Sequence, residues 1–181
     1  MNVASPGNRA GHAAGYRVEG MTFTAVTLCF LTRESTGVSQ VLLGTKKTGF
    51  GLGKVVGLGG HVEPGETDQQ AACREVQEEA GVVVLEADLR DAGVVKFDFP
   101  ARPEWNMTTR LFVAERWDGE PAESAEIRPE WFDVGSLPVE RMWQDAAHWL
   151  PLALGGSVLR LTVVLNDDNE SVREVLDYTT R

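Results

Sequence analysis

Residues Gly60 to Val82 read GHVEPGETDQQAACREVQEEAGV and carry five glutamates, Glu63, Glu66, Glu75, Glu78 and Glu79. The stretch opens on glycine and turns at Pro64-Gly65. A helix signal follows, with Thr67 as N-cap, Asp68 near the positive end of the helix dipole and Gly81 as the stop. At about 100° per residue, Ala72, Cys73, Val76 and Ala80 make one apolar stripe, and Glu75, Glu78 and Glu79 centre about a third of a turn away. The pattern predicts loop, helix, loop, with carboxylates concentrated at one end of the helix. A solvated acidic face is the ordinary reading of such a cluster. Three features favour a bound cation instead: the glycine loop leading into the helix, Arg74 among the acids, and the mutual repulsion of carboxylates that no cation screens. Hard oxygen donors of this kind suit Mg²⁺ or Mn²⁺.

Upstream lies TKKTGFGLGKVVGLGG, Thr45 to Gly60, with six glycines and three lysines. One reading is a flexible loop. The favoured one is a lip that lets backbone approach a ligand closely, with Lys46, Lys47 or Lys54 near phosphates. Before it, Thr22 to Leu31 reads as a buried strand, Arg33 to Ser39 as a turn region, and Val41 to Gly44 as the partner strand. Residues 1–20 read as a flexible tail, with Tyr16 and Val18 able to dock on the domain and His12 solvated. Met21 stands as an alternative start, and residues 21–181 make one domain.

Downstream, Val82 to Leu85, Ala92 to Phe99 and Thr108 to Ala114 read as strands. Val95, Phe97 and Phe99 share one face, as core or as the lining of a base pocket. Trp131 and Phe132 lead a short strand. A second helix is expected over Gln144 to Leu154, with Trp149, Leu150 and Leu152 packing, His148 structural or solvated, and Gly155-Gly156 ending it. Val158 to Leu165 and Val172 to Tyr178 form a closing hairpin around Asp167-Asp168-Asn169. Strands, helix, strands, helix and hairpin predict an α+β fold, a mixed β-sheet between two main helices in an α/β/α sandwich.

The chain's 181 residues suffice for one well-buried core. A net charge of −10 argues against stable nucleic-acid binding and against attraction to anionic membranes. Metal ions would still let an acidic protein hold nucleotides. Cys29 and Cys73 fall in a predicted strand and helix and read as small buried hydrophobes. No apolar run approaches the length of a membrane span, and the N-terminus has no secretory pattern, so the expected location is cytoplasmic.

Gly60, five residues, Glu66, seven residues, Arg74-Glu75-Val76, one residue, Glu78-Glu79, one residue, Gly81-Val82 resembles the complete Nudix box. The likeness extends from about Thr24 to Thr179. Val41-Leu42-Leu43-Gly44 with Lys46-Lys47, Gly49-Phe50-Gly51, Glu126 before Arg128-Pro129, Trp131-Phe132, Met142-Trp143 with Asp145, and Leu176-Asp177-Tyr178-Thr179 resemble the MutT-type branch that hydrolyses oxidised purine nucleoside triphosphates. The resemblance implies that Glu75, Glu78 and Glu79 bind divalent metal, with the Gly59 carbonyl as a further ligand. It implies Glu126 as a remote carboxylate, ligand or general base, Arg74 as the orienter of the glutamates, and Glu66 as a structural residue. Thr24, Lys46, Phe50, Val56, Phe97, Phe99, Trp143 and Asp145 are implied at the substrate. Two positions depart from that branch: Ala146 stands where it has a second aspartate, and Val56 where it has an asparagine. The expected activity is Mg²⁺-dependent hydrolysis of a nucleoside triphosphate such as 8-oxo-dGTP to monophosphate and pyrophosphate by a monomer or homodimer. Glu79 or Glu126 would take the proton of the attacking water. The alternatives are a methylated purine, a pterin triphosphate or a dinucleoside polyphosphate as substrate, or a module that binds nucleotide without cleaving it.

Overall fold

A computed structural model describes residues 15–18 and 21–179, with side chains from residue 22 onward. The strands are β1 (Gly15–Val18), β2 (Met21–Ser35), β3 (Val38–Lys46), β4 (Val55–Val56), β5 (Arg90–Asp98), β6 (Met107–Ala114), β7 (Ile127–Asp133), β8 (Leu159–Leu165) and β9 (Val172–Asp177). The helices are α1 (Asp68–Ala80) and α2 (Ala146–Leu154). The strands form one mixed sheet in the order β4-β3-β2-β6-β5-β8-β9, with β1 on β2 and β7 on β3. Pairing is parallel between β2 and β6 and between β5 and β8, and antiparallel elsewhere.

Side-chain alternation along these strands sends successive residues to opposite layers. Cys29, Leu31, Leu42, Phe112 and Ala114 pack beneath α1 with Ala72, Val76 and Ala80. Phe30, Val41, Leu43, Leu111 and Val113 face the other way, onto Trp149, Leu150 and Ala153 of α2. The predicted sandwich of a mixed sheet between two helices is therefore the observed one. Cys29 is buried and Cys73 half-buried, both as free thiols.

Several boundaries differ from expectation for identifiable reasons. The turn expected over Arg33–Ser39 shrinks to Thr36-Gly37, both at positive φ (51° and 79°), the geometry of a two-residue hairpin. The strands run on around it because Arg33 donates to Gln40 across the hairpin and stacks over Trp131. Val82–Leu85 is not a strand: only Val83 bridges, to Asp118, while Val82 and Val84 drop into the core beneath α1. The second helix begins at Ala146 rather than Gln144. Its buried stripe is Ala146, Trp149, Leu150 and Ala153, so Leu152, expected to pack, points to solvent. His148 is exposed. Gly15–Val18 of the expected tail pairs with the start of β2; the rest of that tail, with His12, lies outside the described residues.

Candidate active site

Helix α1 begins as its sequence requires. The Thr67 hydroxyl accepts from the Gln70 N–H, and the Gln70 side chain accepts from the Thr67 N–H, a reciprocal capping box. Gly81 closes the helix in the left-handed conformation. The loop before it lies along β2, where Thr27 N–H donates to Gly60, Cys29 N–H to Leu58, and Val62 N–H to Ala25. This contact is close enough to demand glycine at one position: a Cβ on Gly59 would stand 2.0 Å from the Thr27 carbonyl oxygen, while one on Gly60 would meet the Glu75 carboxylate at 2.5 Å and push it aside. The glycines thus bring loop backbone and α1 carboxylates into one place.

Within that place the acids divide by role. Arg74 donates through Nε and Nη2 to both oxygens of Glu66 (2.8 and 3.0 Å), through Nη2 to the His61 carbonyl (2.9 Å), and through Nη1 to Glu75 (2.8 Å) and Glu78 (3.2 Å). Glu66 also accepts from the Glu63 N–H, and the Arg74 bonds hold its carboxyl below the usual range. It braces the loop and does not line the cavity. Glu79 is buried, its Oε2 accepting from the Gly59 N–H at 2.8 Å and its Oε1 3.8 Å from Lys46 Nζ. Burial pushes its carboxyl up to about 7, against the pull of Gly59 and Lys46 and with the push of Glu75 and Glu126. Burial raises Glu75 as well, with Glu78 and Glu126 adding to the rise.

Among the described residues, no three carboxylate, imidazole or thiol groups converge tightly enough to clasp a metal as they stand. Arg74 engages Glu75 and Glu78, and Gly59 engages Glu79. The donor set nevertheless fits a hard divalent cation. Glu75, Glu78, Glu79 and Glu126 line one cavity with only Lys46 and Arg74 as cationic partners, and two of the acids are held back from ionising by burial and by one another.

The cavity, about 540 Å³, runs from these carboxylates into an apolar chamber. Val26 and Leu28 of β2, Phe97 of β5, Phe99, Met107 of β6, Met142, Trp149 of α2 and Leu165 of β8 wall it. Asp145 enters at its far end, buried, with Oδ2 accepting from Trp149 Nε1 at 2.7 Å. Burial raises the Asp145 carboxyl above the usual range, the Trp149 bond opposing. With one oxygen taken by Trp149, the carboxyl keeps the other for a ligand's edge. At the rim, Phe50 stacks on Trp143 (centroids 5.1 Å apart, planes 18° apart), and Lys54 Nζ lies 5.0 Å from the Trp143 ring.

A NUDIX domain model matches residues 21–153. The chain belongs to the Nudix family. It is 49% identical over 115 residues to the oxidized purine nucleoside triphosphate hydrolase of Danio rerio and 43% identical over 115 residues to that of Mus musculus, each match covering 64% of this chain and 72% of the relative. It is 35% identical over 79 residues to the 8-oxo-dGTP diphosphatase of Escherichia coli, covering 44% of this chain and 57% of that one. The crystal structure of the MutT protein of Bacillus halodurans shares the fold, with a TM-score of 0.71 at 22% identity over 88% of this chain and all of the other.

Of the residues expected at a Nudix site, Lys46, Phe50, Val56, Gly59, Arg74, Glu75, Glu78, Glu79, Phe97, Phe99, Glu126, Trp143 and Asp145 all line the one cavity. Thr24 does not. It sits two residues short of Val26 on β2, and its N–H donates to the Asn106 carbonyl. Lys47 and Lys54 are also spent elsewhere, Lys47 on Glu123 and the Ser124 carbonyl, Lys54 on Glu170. Phe50 covers one face of Trp143. Sequence reasoning missed Met107, Thr109, Leu165 and Asn169 in the wall, and took Trp149 for packing alone. A strand position and a hairpin turn carry no local sign that they face a ligand.

Proposed function

We propose that this Nudix protein hydrolyses purine nucleoside triphosphates, oxidised ones such as 8-oxo-dGTP included, to monophosphate and pyrophosphate with Mg²⁺ or Mn²⁺. The observation that carries the reading is a single cavity with a cluster of four glutamates, the buried Glu79 among them, at one end and an apolar, aromatic chamber holding Asp145 at the other. A polyphosphate needs the first and a purine the second. The names of the Danio, Mus and Escherichia relatives support the same reading.

Glu75, Glu78 and Glu79, with the Gly59 carbonyl, would hold the divalent ions. Those ions neutralise phosphate charge and acidify bound water when present. The residues do the rest. Arg74 fixes the direction of Glu75 and Glu78, and Lys46 faces the outer phosphates. In the reaction a water oxygen bonds one phosphorus of the α–β anhydride, the bridging P–O bond breaks, and the water's proton passes to a carboxylate. Glu126 fits that task better than Glu79. Its carboxylate accepts no hydrogen bond and forms no ion pair among the described residues, whereas Glu79 is clamped by Gly59 and Lys46. Asp145 and the Phe97–Phe99 wall would select the base. No described helix is long and apolar enough to cross a membrane; the working location is proposed as cytoplasmic, with the protein as monomer or homodimer.

The test is a panel of normal, oxidised and methylated purine nucleoside triphosphates, pyrimidine triphosphates, a pterin triphosphate and dinucleoside polyphosphates, compared by kcat/KM from Mg²⁺-dependent product release. The highest value is expected for an oxidised purine nucleoside triphosphate. A preference for dinucleoside polyphosphates or the pterin would overturn the reading.

A further inference from the structure

One polar atom in the cavity wall is buried with no protein partner. Asn169, in the turn of the β8–β9 hairpin, lines the cavity. Its Oδ1 is buried and has no hydrogen-bond partner, and its Nδ2 has only a long 3.4 Å contact with the Asp167 carbonyl. Turning the amide over would put the NH₂ in the same position, so one end stays unpaired in either orientation. A buried polar group left without a partner is costly and rare in folded proteins. At a cavity wall, a bound ligand is one source of the missing partner.

The turn around Asn169 is built to hold it there. Asp168 Oδ1 accepts from the N–H groups of Glu170 (2.9 Å) and Ser171 (2.8 Å), and its Oδ2 from the Ser171 hydroxyl. Asn169 itself takes the left-handed conformation (φ 58°), which asparagine tolerates better than most residues, and its N–H donates to the Asn166 carbonyl at 2.9 Å. Next to it, Glu170 accepts from Lys54 Nζ at 2.5 Å. The hairpin is thereby tied to the glycine-rich lip.

The other polar groups of the chamber leave work for this amide. Thr109 lies in the wall on β6, and Asp145 has already given one oxygen to Trp149. Val56 and Ala146, which also line the cavity, have nothing to offer a polar edge. An amide carries a donor and an acceptor together, and a purine edge, above all one to which oxidation has added N–H and C=O, presents both in return.

We propose that Asn169 is a specificity-determining residue whose amide hydrogen-bonds the base of the bound nucleotide, with the Lys54–Glu170 ion pair positioning it. This rests on the cavity holding a purine nucleoside triphosphate. The experiment uses the full chain with Mg²⁺ and compares kcat/KM for the best purine nucleoside triphosphate with that for a pyrimidine nucleoside triphosphate. Asn169→Gly removes the amide and keeps a residue that accepts positive φ; Asn169→Asp keeps the shape and removes the donor. Both are expected to lower the purine-to-pyrimidine ratio about tenfold, by depressing the purine value and sparing the pyrimidine one. Glu170→Ala should lower the ratio in the same direction by less. If the wild type cleaves purine nucleoside triphosphates and the Asn169 variants keep its ratio, the assignment of Asn169 is overturned and the function stands. An equal loss on both substrates also overturns it, as the mark of a merely structural residue. A wild type that cleaves no purine nucleoside triphosphate overturns both.

Discussion

At its charged end the cavity draws Arg74, Glu75, Glu78 and Glu79 from two turns of one helix and Gly59, Gly60, His61 and Glu63 from the loop before it, and adds Lys46 and Glu126 from the adjoining ends of β3 and β7. At its apolar end it draws from β2, the lip, β5, β6, the entry to α2 and the β8–β9 hairpin. The helix carboxylates of the charged end are held by Arg74 and by Gly59, while Glu126 is tied to neither. The apolar end is held by packing and by two polar ties, Asp145 to Trp149 and Lys54 to Glu170. A change at the first should therefore strike every substrate alike, and a change at the second should alter the ranking among substrates.

The largest expected effect tests the first half of that contrast. Glu79→Gln should cut Mg²⁺-dependent turnover by about a thousandfold or more on every triphosphate, with the fold kept. Pyrophosphate release near the wild-type rate in that variant would sink the assignment of α1 to catalysis. Asp145→Asn tests the other half. It keeps an acceptor for Trp149 but sets an amide NH₂ where the second carboxyl oxygen stood, so that position can no longer accept from the base, and kcat/KM should fall about tenfold or more on purine nucleoside triphosphates and little on pyrimidine ones. A uniform loss would mean that the two ends are not separable.

A third prediction concerns acidity. In the metal-free protein Glu79 holds its proton up to about 7, against an ordinary value of 4.5. A carboxyl raised in the folded state contributes stability that is complete below its unfolded value and lost as pH rises through its folded one. Thermal denaturation of metal-free protein should accordingly show Tm falling by several degrees between about pH 5 and pH 8. The fall should be much reduced in Glu79→Gln and opposed by added Mg²⁺. A flat profile would show that Glu79 is not strained by its burial. The smallest effect is Thr67→Ala, which removes one half of the capping box; a loss of about 1 kcal/mol is expected, lowering Tm with kcat little changed.

The same contrast decides what could be read from sequence. Everything at the charged end except Lys46 and Glu126 lies within a single stretch whose periodicity and caps are local, so Thr67, Gly81, Arg74 and the glutamates fall where their spacing puts them. Even there the helix turned slightly from expectation, with Ala71 and Glu79 inside and Cys73 half-exposed. The sandwich was legible too, because strand alternation and helix stripes point to their own layers. The apolar end was legible only where a resemblance supplied it. Thr109 and Asn169 are brought to the cavity by sheet order, β6 beside β2 and β8 beside β5, and strand order leaves no local trace. Thr24 failed for a related reason: it is on the right strand but beyond the stretch that reaches the cavity.

The Lys54–Glu170 tie also has a place in time. A ribosome delivers the carboxylates of α1 and Glu126 well before it delivers Asn169 and Glu170, and β8 cannot take its place beside β5 until the last quarter of the chain has emerged. Domains fold as units, and this one has a single sheet. The cavity is therefore complete only once β8 has paired with β5, and Asp145 and Asn169, proposed to choose the base, are synthesised after the carboxylates proposed to cut.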